Sequence, residues 1–307
     1  MKVLITGGCG FIGSHLADFL ALQEYKVIVV DNFCSGHHIS SNSLITYIEK
    51  DCVKDGLDQV FLNEKPDYVI HLAAQVDVKK SMNYPVFDAE LNVLGTIRIL
   101  DLCRKYSVKK FVFASTSAVY GDYGDASVHE DVELRPVSFY GVSKLASEKY
   151  IDQFASHFGL SYAIFRYSNV YGPRQRSDNE GGVIPIFIRQ LSNNRNPIIF
   201  GDGNQTRDFI HISDVVHANY LALNTKKNIL ANISSNTTNS INDLCSILST
   251  HFNDAKAPIQ IEHRSGDILH SQLDNTKAKM LLDWEPRVTL TQGIKLTVDA
   301  YTKENGR

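Results

Sequence analysis

The sequence predicts an α/β protein: a doubly wound parallel sheet followed by a smaller, mixed α/β C-terminal region. Three observations carry this prediction. Short β-branched runs alternate with helically spaced apolar residues through the first half of the chain. Gly7, Gly10 and Gly13 stand directly after the first of those runs, where a strand turns into a helix. The rhythm then breaks near Asn169, at Tyr171-Gly172-Pro173-Arg174 and Gly181-Gly182. Taken in order, Lys2 to Thr6, Lys26 to Asp31, Tyr68 to Leu72, Lys110 to Ser115 and Ser161 to Tyr167 read as strands. Their near-continuous apolar character suits strands covered on both faces. Phe11 to Leu22, Val93 to Tyr106 and Lys144 to Phe158 carry apolar residues at helical intervals. The division expected is 1–168 for the first domain and 169–307 for the second. Segments near 208–235 are expected to cross back to the first.

Composition excludes several classes of function. The chain has 307 residues, 43% hydrophobic and 21% charged, with 31 basic against 34 acidic side chains. That balance gives no diffuse positive field for nucleic acid or an anionic membrane, so basic residues used on phosphates must be local. Apolar runs such as Val27 to Val30 are far shorter than a membrane span. The first residues enter a strand with no leader-like pattern, and a cytoplasmic location is expected. Five scattered cysteines without paired or metal-ligand spacing read as reduced thiols, and no metal site is expected.

In Thr6-Gly7-Gly8-Cys9-Gly10-Phe11-Ile12-Gly13, Gly7 and Gly10 can let the backbone approach a pyrophosphate at the helix N-terminus. Gly13 can let helix and strand pack closely. A turn serving only a tight bend is the alternative. Asp31 ends the second strand where a carboxylate can accept the hydroxyls of an adenosine ribose and repel a 2′-phosphate. No arginine stands in Asn32-Phe33-Cys34-Ser35-Gly36, so NAD is favoured over NADP. Asp31 as a strand-end turn residue is the plainer reading.

Tyr140 and Lys144, four residues apart, share one helix face. A lysine ammonium beside a tyrosine stabilises the phenolate and makes a base suited to an alcohol that loses hydride. Taken alone, the same spacing also describes a half-buried ring beside a solvated amine.

With these motifs the chain resembles the extended short-chain dehydrogenase/reductase superfamily, and within it the nucleotide-sugar 4-epimerases. The likeness runs nearly end to end and includes Asp51, His71-Leu72-Ala73-Ala74, Ser115-Thr116-Ser117-Ala118-Val119-Tyr120-Gly121, Arg207-Asp208 and Arg264-x-Gly266-Asp267. It implies a Rossmann domain holding NAD, with Thr116, Tyr140 and Lys144 as catalytic residues. It places Phe11 and Ile12 at the pyrophosphate and Asn32, Ser35, Gly36, Asp51 and Cys52 at the adenosine end. Leu72, Ala73, Ala74 and Tyr167 would line the coenzyme cleft. For a UDP-sugar it implies Asn169, Val183, Arg207, Arg264, Asp267 and Ser271, of which the arginines suit phosphate oxygens. A homodimer is a further expectation of the resemblance.

The related dehydratases and decarboxylases place an acid just after the threonine-bearing strand, where this chain has Ser117 and Ala118. Without that carboxylate, 4-epimerisation through a 4-keto sugar is the expected outcome. Ser271 stands where the resemblance puts the residue facing the sugar 2-substituent. Its size leaves room for an N-acetyl group, so UDP-GlcNAc/UDP-GalNAc is expected alongside UDP-Glc/UDP-Gal. A UDP-glucuronate 4-epimerase is the nearest alternative, through Arg176 in Gly172-Pro173-Arg174-Gln175-Arg176, although Asn169 suits the hexose branch. A non-catalytic NAD-binding regulator is the alternative of another class.

Overall fold

Seven parallel strands form the central sheet of the computed structural model, which describes residues 1–54, 56–177, 182–263 and 268–304. They are β1 Lys2–Thr6, β2 Lys26–Asp31, β3 Ile45–Glu49, β4 Tyr68–His71, β5 Lys110–Thr116, β6 Tyr162–Tyr167 and β7 Ile229–Ile233. Their spatial order is β3-β2-β1-β4-β5-β6-β7, every neighbour parallel. The winding reverses between β1 and β4, which opens a crevice at the carboxyl ends of the strands. Thr6, Asp31, His71, Thr116 and Tyr167 are the last residues of their strands and stand along that edge.

The helices are α1 Phe11–Leu22, α2 Leu57–Glu64, α3 Val78–Asn83, α4 Pro85–Ala89, α5 Gly95–Lys105, α6 Phe139–Phe158, α7 Val183–Ser192, α8 Ile212–Leu223, α9 Ile241–Ser249, α10 Thr276–Leu282 and α11 Leu290–Glu304. A π-helical turn at Glu90–Leu94 joins α4 to α5. Leu16 and Leu20 of α1, Val215 and Ala218 of α8 and Leu282 of α10 pack on one side of the sheet. Phe61 of α2, Ile99 of α5 and Ile151 of α6 pack on the other. Burial on both faces explains why Val3, Leu4 and Ile5 are all apolar, with none exposed. Phe187, Leu244, Leu248 and Ile294 of α7, α9 and α11 build a separate core. The chain thus leaves the large sheet after β6, returns for α8 and β7, leaves again for α9, and returns once more for α10. Trp284 is buried against α8, its indole N–H donating to the Asp214 carbonyl at 3.0 Å.

The α6 helix begins at Phe139, earlier than its apolar periodicity suggests, because a polar cap starts it. The Ser138 side chain accepts the Gly141 N–H at 3.1 Å, and Gly159 in the left-handed region ends the helix. At Gly141 an added Cβ would lie 2.5 Å from the Ala118 carbonyl oxygen. Only glycine therefore lets the first turn of α6 close onto the turn that follows β5. That approach brings Tyr140 to Thr116.

Candidate active site

On the nucleotide side, the three glycines do different things. Gly7 has φ +70° and an added Cβ would lie 2.7 Å from the Ala73 nitrogen; at Gly13 it would lie 2.3 Å from the Gly7 carbonyl oxygen. Gly10 is different: an added Cβ meets nothing nearer than 3.3 Å. Gly7 and Gly13 are packing glycines that admit no side chain, whereas at Gly10 a Cβ would make one tight contact, with the Gly7 carbonyl oxygen. Gly10 is also the N-cap of α1, which has neither a side-chain cap nor an acid in its first turn. Uncapped N–H groups and the positive end of the helix dipole suit a pyrophosphate. Phe11 and Ile12, both half-buried, form that first turn.

Both oxygens of buried Asp31 accept backbone N–H groups, Oδ2 from Cys9 and Oδ1 from Phe33, each at 2.9 Å. The carboxylate thus ties the glycine turn to the end of β2, and its remaining lone pairs suit a ribose diol. Gly36 covers the same turn so closely that a Cβ would lie 2.3 Å from Cys9 backbone atoms. Asn32 donates to Asp51 at 3.1 Å, beside buried Cys52, while Ser35 is exposed. Leu72, Ala73 and Ala74 are half-buried after β4. The Tyr167 hydroxyl is buried against Asn219 of α8, 3.1 Å from Oδ1.

At the reacting centre the Thr116 hydroxyl stands beside Tyr140 and acts to lower its pKa, and Thr116 Oγ1 accepts the Ala118 N–H at 3.1 Å. Lys144 is 3% exposed; its Nζ donates to the Ala114 carbonyl at 2.9 Å and lies 4.6 Å from the centre of the Phe113 ring. The expectation that this ammonium lowers the Tyr140 pKa is not met. Desolvation pushes the tyrosine up to about 12, opposed by the Thr116 hydroxyl and reinforced by the charge of Asp88. Lys144, in turn, is brought down to about 8, chiefly by burial, with Asp88 and Glu148 acting the other way. The ammonium is held by a carbonyl and an aromatic face rather than by the phenol.

Behind this pair lies a buried polar network that the sequence reading missed. Thr6 bonds His71 Nδ1 at 2.6 Å, His71 Nε2 bonds Thr96 at 3.2 Å, and the Thr96 hydroxyl donates to the Asn92 carbonyl at 2.6 Å. Asn92 Nδ2 also reaches Asp88 and Ser143, each at 3.1 Å. The sequence signal was a polar stripe, Asp88, Asn92 and Thr96, at four-residue spacing across α4, the π turn and α5, where from 85 to 94 only Asp88 and Asn92 are buried.

On the substrate side, Asn169 donates from its side chain to the Asp208 carbonyl at 3.2 Å. Val183 opens α7. Arg207 donates to the Thr206 carbonyl at 2.8 Å. Arg264 and Asp267 lie outside the described residues. Ser271 lines a cavity of about 200 Å³ with Asp125, Thr206 and His270. A second, much smaller cavity is lined by both Ser271 and Ser117, the residue after Thr116. Arg174 and Arg176 fasten onto the nucleotide side: Arg174 pairs with Asp18 of α1 at 2.8 Å and Arg176 donates to the Ser35 carbonyl at 2.9 Å. Among the described residues no group of side chains could hold a metal ion, and no helix is long and apolar enough to cross a membrane.

Residues 3–236 match the model of the NAD dependent epimerase/dehydratase family. A putative UDP-glucose 4-epimerase of Methanocaldococcus jannaschii is 43% identical, over 99% of both chains. The structure of a Thermotoga maritima UDP-glucose 4-epimerase with UDP-glucose superposes with a TM-score of 0.96 at 40% identity, covering 99% of this chain and 100% of that one. A Methanobrevibacter ruminantium UDP-N-acetylglucosamine 4-epimerase, solved with UDP-N-acetylmuramic acid, gives 0.92 at 32% identity over 99% and 98%.

Proposed function

Because the chain belongs to the NAD dependent epimerase/dehydratase family, we propose that it is a UDP-sugar 4-epimerase acting on UDP-GlcNAc/UDP-GalNAc and on UDP-Glc/UDP-Gal. The observation that carries the reaction is the Thr116 hydroxyl beside Tyr140, with no acid at Ser117 or Ala118 in the turn that follows β5. Bound NAD supplies a hydride acceptor at carbon 4. Tyr140 takes the proton of the 4-hydroxyl, Thr116 aligns that transfer, and Lys144 contributes positive charge behind the tyrosine. No carboxylate at Ser117 or Ala118 drives elimination or carbon loss, so the 4-keto sugar turns and regains hydride on its other face. Tyr140 then returns the same proton.

For the sugar, the cavity at Ser271 supports an N-acetyl substituent. A roomy pocket discriminates weakly against the smaller hexose, by about 1–3 kcal/mol without a further contact. The UDP-glucuronate alternative needs Arg176 at a sugar carboxylate. Its guanidinium instead reaches the Ser35 carbonyl on the nucleotide side, which favours the neutral sugars. The bare N-terminus of α1, Gly10 without a side chain at that N-terminus, and Asp31 fit NAD. In this reading residues 1–168 carry NAD and 169–307 the UDP-sugar, apart from the return through α8 and β7. Exposed Leu94 of the π turn and Val142 and Tyr150 of α6 support a homodimer through helices.

Incubation of the purified protein with UDP-GlcNAc, UDP-Glc and UDP-GlcA in separate reactions, with products identified by NMR, tests the reading. Inversion at carbon 4 of the first two sugars is expected. Loss of a carboxylate, change at carbon 6, or conversion of UDP-GlcA alone would refute it.

A further inference from the structure

Asp88 is 1% exposed, and a carboxylate that deep is costly unless paired or fully hydrogen-bonded. Its Oδ1 accepts from two neutral amides, Gln75 Nε2 at 2.9 Å and Asn92 Nδ2 at 3.1 Å. Its Oδ2 is buried and has no hydrogen-bond partner among the described residues. Other deep carboxylates are provided for. Glu148 is paired with Arg166 at 2.7 Å, and Asp208 accepts bonds from Ser168, Ser235 and Leu273. Among the described residues Asp88 is the one carboxylate with a buried oxygen left bare, close to the proposed proton shuttle.

The connection is physical. Asn92, which fixes Asp88, also donates to Ser143, the residue just before Lys144; Ser143 in turn donates to the Tyr140 carbonyl at 3.0 Å. Lys144 itself makes no ion pair among the described residues. The charged or titratable groups bearing on it are Asp88 from α4, Glu148 from α6 and His71 from β4. The charge of Glu148 is compensated by Arg166, and burial keeps His71 neutral, down to about 3. That leaves Asp88 as the one uncompensated negative charge among these groups.

We propose that Asp88 is a positioning residue: held by Gln75 and Asn92, its carboxylate is the fixed counter-charge that keeps Lys144 an ammonium ion behind Tyr140. The proposal rests on the reading of Tyr140 and Lys144 as the proton shuttle. A charge at this depth is weakly screened and acts without direct contact.

Asp88→Asn keeps an acceptor for both amides and removes the charge. In the NAD-bound protein, the alkaline limb of the kcat–pH profile is expected to move down by about one pH unit, with KM unchanged. Asp88→Ser is expected to move it likewise. A uniform fall in kcat with the limb in place, a rise in KM alone, or failure of both variants to fold overturns the proposal, because the carboxylate then serves packing. A second readout needs no turnover: NMR titration of ¹³Cε-labelled lysines, with Lys144→Arg as the blank. Lys144 is expected to titrate near 8 in the wild type and about one unit lower in Asp88→Asn. Equal values in the two proteins overturn the proposal. A lysine shift without UDP-sugar turnover in the wild type would instead refute the proposed function and leave the electrostatic coupling standing.

Discussion

In the proposed reaction Tyr140 must take a proton, and its surroundings only partly suit it, since desolvation holds its hydroxyl at about 12 while Thr116 alone pulls the other way. A strongly basic phenolate suits an alcohol that gives up its proton together with hydride, which is what the proposal asks of this residue. Tyr140→Phe should therefore retain bound NAD and lose turnover by about 10²–10⁴-fold; wild-type rates with intact NAD would remove Tyr140 as the base. Ser271→Tyr tests the pocket separately. The ring would fill part of the cavity shared with Asp125 and His270, so kcat/KM for UDP-GlcNAc should fall at least tenfold more than for UDP-Gal. Equal losses on both would refute the steric argument. The spacing of Tyr140 and Lys144 was readable in the sequence because helix geometry puts fourth neighbours on one face. The direction in which Lys144 points was not. It depends on the Ala114 carbonyl and the Phe113 ring, residues of a strand some thirty positions earlier.

At the level of elements, the proposed cofactor role of the α1 turn rests on two glycines that differ in how much they are confined. Gly13 faces backbone at 2.3 and 2.6 Å that cannot move without opening the turn, whereas a Cβ at Gly10 makes one tight contact, 3.3 Å from the Gly7 carbonyl oxygen, at φ −77°, which alanine adopts freely. Gly13→Ala should lower both stability and bound NAD. Gly10→Ala should unfold within about 1 kcal/mol of the wild type yet purify with little NAD, because the methyl group stands where the pyrophosphate approaches. Urea denaturation together with the nucleotide content of the purified protein separates these outcomes. Full NAD occupancy in Gly10→Ala would remove that glycine from the site. The large-sheet strands predicted in the first half lie within a residue of their observed ends, since buried parallel strands announce themselves as apolar runs. β3 had no predicted bounds: Ile45–Glu49 mixes Thr46, Tyr47 and Glu49 among its apolar residues, as an edge strand with one half-open face does. The N-terminal turn of α6 was equally hidden, because Ser138 and Gly141 define it by capping and close approach rather than by apolar period.

In the whole molecule, the point that joins the large sheet to the smaller core is Asp208. Its Oδ1 accepts from Ser168 Oγ at 3.1 Å and from Ser235 N and Oγ at 2.8 Å, and its Oδ2 from Leu273 N at 3.3 Å. It thereby gathers the residues following β6 and β7 with a late C-terminal strand. Sequence shows Asp208 only as the partner of a phosphate-seeking arginine, because the three segments it joins are brought together by the return of α8 and β7. Burial raises its pKa from 3.8 to about 6, against the pull of those hydrogen bonds. The folded state thus holds this proton more tightly than the unfolded chain, so the group's contribution to stability is fully present below about pH 4 and declines as pH rises to 6, by about 1.4 kcal/mol per pKa unit. Asp208→Asn removes that dependence, but it must turn its amide nitrogen towards the Leu273 N–H if its oxygen keeps the Ser168 and Ser235 side. The resulting unsatisfied donor costs about 1–3 kcal/mol. The variant should therefore be clearly less stable than the wild type at pH 5, with the gap narrowing at pH 7 as the wild type loses the benefit of its proton. Urea midpoints of the two proteins at both pH values read this directly, and comparing them cancels every other titrating group. A gap independent of pH would mean that Asp208 is ionised in the fold throughout, and that the joint rests on charge-assisted rather than neutral hydrogen bonds.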